Sequence, residues 1–139
     1  MDPMSIAAST AGLIGLALTL FKTVEGISSA ISRRPMLLVE ISDDLRILNT
    51  VLEDLSTINA NRRSPSDASL FDVLDGCKAV MAQIDQELNA LKAALQRSRV
   101  SRTFAKMTFS SKMESIAALR SQLDKYKAAL VIALSLRTM

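Results

Sequence analysis

Residues 3–21 read PMSIAASTAGLIGLALTLF, an apolar or small run that carries no charge and ends at Lys22. As a helix rising about 1.5 Å per residue it would be about 28 Å long, close to the roughly 30 Å hydrocarbon thickness of a bilayer. The chain then continues through Val24, Ile27 and Ile31 with the spacing of an amphipathic core helix in a soluble bundle. One segment thus suits two solvents, hydrocarbon and a protein core.

Three faces divide this helix. Ile6, Leu13, Leu20 and Ile27 recur every seven residues, flanked by Ala17, Val24 and Ile31, and make a core seam. Ile14, Leu18 and Phe21 form a second stripe that ends at Glu25. If the helix inserts, Leu13, Ile14, Leu16, Leu18, Leu20 and Phe21 are the side chains expected to enter hydrocarbon. The third face is small: Ala8, Gly12, Gly15, Thr19 and Gly26, with Ala11-x-x-x-Gly15 overlapping it. Small residues four apart let a second helix backbone come close, so Ala8, Gly12, Gly15 and Thr19 are the expected helix–helix contact. Each interior glycine costs about 1 kcal/mol relative to alanine. Three explanations compete for that cost: tight packing inside a soluble bundle, conditional membrane insertion, and a permanent anchor. A secretory signal fits poorly, since Asp2 stands where a basic n-region belongs. Asp2 in place of glycine after Met1 also removes a myristoylation site.

At 139 residues the chain is expected to form one domain, 1–139, with room for a real core. Aromatics are only 4%, and four Gly with three Pro leave little material for the turns of a β-fold. The composition therefore predicts an all-α protein. Its one cysteine, Cys77, excludes an internal disulfide and suits a reducing compartment. No histidine is present to act as a base or to complete a zinc set, and no phosphate-cradling glycine motif appears. The expectation is a non-enzyme with no cofactor and no metal.

The first helix is predicted from Asp2-Pro3 to about Ser32, stopped by Arg33-Arg34-Pro35. A second runs from Met36 to Ile58, with Leu38, Ile41, Leu45, Leu48, Leu52 and Leu55 on one face. Glu40, Asp43, Asp44, Glu53 and Asp54 read as its solvated acidic side. Asn59–Ser66 is a loop by composition, and Ser64-Pro65-Ser66-Asp67 reads as a capping box opening a third helix that ends near Leu95. There Leu70, Cys77, Ile84 and Leu91 mark one heptad position, and Leu74, Met81, Leu88 and Leu95 another. This regularity reads as long antiparallel packing within the monomer, an intermolecular coiled coil being the alternative. Cys77 lies on the seam and reads as a small buried hydrophobe.

Between Glu87 and Glu114 no carboxylate occurs, while Lys92, Arg97, Arg99, Arg102, Lys106 and Lys112 accumulate around Val100, Phe104, Met107 and Phe109. Residues 97–110 are expected to be a basic connection. Phe104 and Phe109 would plug the bundle's end, or Arg97, Arg99, Arg102, Lys106 and Lys112 would meet anionic lipid headgroups at about 1 kcal/mol each. Nucleic acid is the weakest partner, for want of a stacking platform and of a strongly basic net charge. Ser111-x-x-Glu114 reads as a second capping box and the start of the last helix. Ile116, Leu119, Leu123, Tyr126, Leu130, Ala133 and Leu134 supply that helix's core face. The abrupt end at Met139 suggests a cut through a longer protein.

Two stretches carry a family resemblance. MDPMSIAASTAGLIGLA at the start, with its MDPxSIAASxAGLxxLA pattern, resembles the fungal N-terminal domain of STAND proteins. The segment from Phe104 to Leu136 is similar to the same family's closing pattern, L-x-x-x-K-x-x-L-x-x-A-L, carried here by Leu123, Lys127, Leu130, Ala133 and Leu134. Met107-Thr108 departs from that pattern where a tryptophan is common. The resemblance implies a HeLo-like helical bundle at the head of an NLR-type receptor. Such domains resemble the four-helix executioner domain of mixed-lineage kinase-like proteins, and in fungal effectors a hydrophobic first helix is released to attack the plasma membrane.

The resulting expectation is an elongated, mostly antiparallel four-helix bundle. It would be cytoplasmic, recruited to the anionic phospholipid of the plasma membrane, homo-oligomeric on activation, and linked to downstream receptor domains of the same chain. The alternative is a non-toxic adaptor that couples a receptor to partner proteins.

Overall fold

The computed structural model describes the backbone of residues 3–30, 36–59, 67–97 and 102–137, and the side chains of residues 8–29, 36–57, 70–94 and 111–136. All four described segments are helices: α1 Pro3–Ala30, α2 Met36–Asn59, α3 Asp67–Arg97 and α4 Arg102–Arg137. The fold is an all-α four-helix bundle.

Each helix forms for the reason its pattern gives. α2 buries Leu38, Ile41, Leu45, Leu48, Leu52 and Leu55, a stripe at three- and four-residue steps. α3 buries both heptad positions, including Leu70, Leu74, Cys77, Met81, Ile84, Leu88 and Leu91. α4 buries Ile116, Leu123 and Leu130, with Leu119, Tyr126, Ala133 and Leu134 packed partly against them. From α1, Leu13, Ala17, Leu20, Val24 and Ile27 join the same continuous core. The seam predicted for α1 is therefore its core face. Ile6 and Ile31 lie outside the described side chains.

α1 packs against α2 and α3, and α4 also packs against α2 and α3, so α1 stands diagonally opposite α4. Five residues (31–35) separate α1 from α2 and four (98–101) separate α3 from α4. Connections this short leave antiparallel neighbours as the solution. For α3 and α4 the pairings Gly76 with Tyr126 and Glu87 with Lys112 confirm it, because one number rises as the other falls.

The basic connection is the largest correction. α4 begins at Arg102, so most of the stretch expected as a connection is helix, and Ser111-x-x-Glu114 lies inside α4. After Gly76 the sequence contains neither glycine nor proline, so nothing interrupts the helix. The Ser–Glu spacing spans one helical turn and occurs in helix interiors too; both residues are exposed. α3 runs to Arg97, slightly past Leu95. The loop at Asn59–Ser66 falls between α2 and α3, and residues 60–66, like 31–35, lie outside the described residues.

Candidate functional site

The candidate insertion residues divide by burial. Leu13 and Leu20 are core, at 1% and 0% exposure. Ile14, Leu16 and Phe21 are half-buried and pack against the core's edge. Leu18 is 51% exposed. The second stripe is thus a graded surface, partly covered at Ile14 and Phe21 and open at Leu18.

The small face is open. Ala8, Gly12, Gly15 and Thr19 are all exposed, and a Cβ added at Gly12 or Gly15 would meet nothing within 4 Å. Close packing inside the bundle therefore does not account for these two glycines. At Gly26 a Cβ would meet only the Lys92 Nζ, at 3.7 Å. The glycine that packing does require is Gly76 on α3, where a Cβ would sit 2.5 Å from Tyr126 Cε1.

Three hydroxyls along α1 are satisfied inside the helix, whereas Ser28 Oγ is buried without a hydrogen-bond partner among the described residues. Thr19 Oγ1 donates to Gly15 O at 3.0 Å, Thr23 Oγ1 to Thr19 O at 3.0 Å, and Ser29 Oγ to Glu25 O at 2.9 Å. Hydroxyls bonded back to the fourth preceding carbonyl ask nothing of the solvent, the condition for polar side chains on a lipid-facing helix. Residues Ala8–Ser29 are long and apolar enough to cross a membrane, with Lys22 and Glu25 their only charged side chains. A core helix of a soluble protein can meet the same criterion, and a third of this segment is buried in the bundle.

The candidate headgroup cations are less accessible to description. The side chains of Arg97, Arg99, Arg102 and Lys106 lie outside the described residues. Lys112 is half-buried and pairs with Glu87 at 3.1 Å, so it is engaged within the bundle. Its charge is already neutralised by a partner.

The acidic side of α2 also differs from expectation. Asp44 is buried, at 4% exposure, and receives two cations from α4. Arg120 Nε donates to its Oδ2 at 2.8 Å and Lys127 Nζ to its Oδ1 at 2.9 Å. Arg120 also bonds Glu40 at 3.0 Å, and Lys127 pairs with Asp124 at 2.9 Å. The hydrogen bond that Arg120 donates to Asp44 raises the Arg120 pKa above its ordinary value. For Lys127, burial pulls the pKa down, but the hydrogen bonds to Asp44 and Asp124 outweigh it and leave the pKa raised. The hydrogen bond from Lys127 lowers the pKa of Asp124. Composition alone missed this cluster. The usable signal was the match between an Asp44 one turn from the core position Leu48 and paired cations seven apart on the facing helix.

Cys77 is fully buried, and desolvation pushes its thiol up to about 12. It is no nucleophile at neutral pH. Among the described residues no group of three or more Cys, Asp or Glu side chains is placed to hold a metal ion.

A family model described as pigment biosynthesis cluster protein PigL N-terminal matches residues 1–139. The chain belongs to the PigL N-terminal family. Comparisons with curated proteins and with solved structures return no match. The match spans the whole chain, which agrees with the resemblance in covering both ends, but the family it names is described by pigment biosynthesis and not by STAND receptors.

Proposed function

We propose that this PigL N-terminal domain is a regulated membrane-targeting domain whose α1 leaves the bundle, self-associates and inserts into anionic membrane. The observation that carries the proposal is the open small face of α1: Gly12 and Gly15 face no neighbour, and the hydroxyls beside them are satisfied within the helix. In the bundle these glycines cost helix stability without a packing return, whereas between paired membrane helices they permit close approach.

Energetics favour a soluble resting state. Exposing Leu13, Leu20, Val24 and Ile27 to water would cost about 6–12 kcal/mol. Release of α1 therefore requires a trigger or a membrane that takes up the same side chains. The ion cluster helps the remaining helices stay together, because Asp44, Arg120 and Lys127 tie α2 to α4 without involving α1. The finer parts of the proposal are a HeLo-like cell-death role, recruitment from cytoplasm to plasma membrane, and receptor domains downstream. They draw on the resemblance in the opening and closing segments.

The adaptor alternative has an observation of its own. Val131, Ile132 and Leu136, on the last turns of α4, are 38%, 61% and 66% exposed and offer apolar contact without insertion. Dye release from vesicles separates the two. The membrane proposal expects leakage from vesicles containing anionic lipid and little from neutral ones; a folded domain that releases no dye from either supports the adaptor.

A further inference from the structure

A groove of about 230 Å³ lies between α1 and α2, lined by Ala17, Leu18 and Phe21 from α1 and Leu45, Arg46 and Asn49 from α2. Its walls are almost wholly apolar. Two features are unusual for a mere packing defect. The Arg46 guanidinium lies over the Phe21 ring, 5.5 Å from its centroid, and among the described residues Arg46 makes no ion pair. In addition, Asn49 Oδ1 is buried without a hydrogen-bond partner, while its Nδ2 makes only a long 3.5 Å contact to Glu53. Buried polar atoms are nearly always paired, so Asn49 has unused accepting capacity at Oδ1, its Nδ2 being the end that can donate to the Glu53 carboxylate.

We propose that this groove binds a small amphipathic carboxylate. Its apolar body would lie against Ala17, Leu18, Phe21 and Leu45, and its carboxylate would meet the unpaired Arg46, away from the Asn49 Oδ1 acceptor. The size follows from the volume. An apolar cavity of about 150 Å³ accepts benzene, so this groove accepts a ring with a short side chain or an alkyl chain of similar bulk. It is smaller than the roughly 300–1,000 Å³ of sites for drug-sized ligands. Orientation follows from charge: Arg46 is one turn before Asn49 and Glu53 one turn after it, so the anionic end belongs at Arg46. A bound ligand would bridge α1 and α2, and its binding does not depend on whether α1 enters membranes.

Titration of the full 139-residue chain, followed by amide NMR, tests the proposal. The probes are octanoate and 3-phenylpropanoate, with octan-1-ol and 3-phenylpropan-1-ol as uncharged counterparts. Saturable shifts should concentrate at residues 17–21 and 45–49, with the Asn49 side-chain amide among them. Arg46 is exposed, so Arg46→Gln should fold normally while weakening carboxylate binding about 10-fold or more, the worth of a charge-assisted hydrogen bond. The alcohols should bind more weakly by a similar factor. Saturation by the chain acid favours an alkyl occupant and saturation by the ring acid an aromatic one; either upholds the site. The proposal is overturned by shifts scattered over the surface, by absence of saturation at millimolar ligand, or by equal affinity in Arg46→Gln.

Discussion

Cys77 shows how one buried atom sets a pH dependence. Its thiol stays neutral in the folded bundle up to about 12, against an ordinary value of 9.0. Below that ordinary value both states keep the proton and the full stability is present. Above it the unfolded chain ionises and the folded chain does not, so stability falls as pH rises toward about 12, by at most about 1.4 kcal/mol per pH unit. Lys127, also raised, loses its contribution in the same direction at alkaline pH. Urea unfolding between pH 8 and about 11 should therefore show a steeper decline for the wild type than for Cys77→Ala; parallel slopes would mean the thiol is solvated. Gly76 offers a second test. Alanine there would drive its Cβ into the Tyr126 ring, at a cost of about 1–3 kcal/mol set against the roughly 1 kcal/mol gained in helix propensity. In a Tyr126→Ala background the obstruction is gone, and Gly76→Ala should become stabilising. A double-mutant cycle by thermal unfolding reads the change directly, and additivity would show that the two residues do not meet. At Asp44, alanine would remove the buried carboxylate that Arg120 and Lys127 share and leave them only Glu40 and Asp124, and we expect a loss of about 1–3 kcal/mol in urea unfolding. A loss below about 0.5 kcal/mol would place the cluster with ordinary surface pairs.

At the scale of elements, α1 carries the functional account. Gly12 and Gly15 meet no neighbour, so Gly12→Ala and Gly15→Ala should each raise stability in solution by about 0.5–1 kcal/mol. If the small face pairs in membranes, the same substitutions should reduce vesicle leakage even as the melting temperature rises. Stability and leakage moving together would detach the glycines from any membrane role. The core seam of α1 was legible in the sequence because Leu13, Leu20 and Ile27 keep a seven-residue step, and all three are buried. Which residue of the second stripe would stay open was not legible: Ile14, Leu18 and Phe21 share a polarity class, and only the position of α2 decides that Phe21 is partly covered and Leu18 open. The start of α4 was misplaced for a related reason. A dense run of Lys and Arg reads as a connection by composition, yet lysine and arginine are good helix formers and no breaker lies among them.

Over the whole molecule, periodicity was sufficient for four helices, because their apolar steps persist through long segments without internal proline. The arrangement around the core was not available from it. That α1 lies across from α4, and that Asp44 on an acidic face is buried between two cations, follows from which helices become neighbours. In the proposed release, α1 would give up its contacts with α2 and α3, while the α3–α4 and α2–α4 contacts and the ion cluster would remain. The central claim is that α1 serves two environments, and Leu18 is the position where they differ most. It is 51% exposed in the bundle but would face hydrocarbon after insertion, where a lysine near the helix centre costs roughly 2.5–3.5 kcal/mol. The most direct measurement is dye release from anionic vesicles by Leu18→Lys and wild type, each paired with its melting temperature. The expected result is a melting temperature close to wild type with leakage strongly suppressed; wild-type leakage from the folded Leu18→Lys protein would contradict insertion of α1.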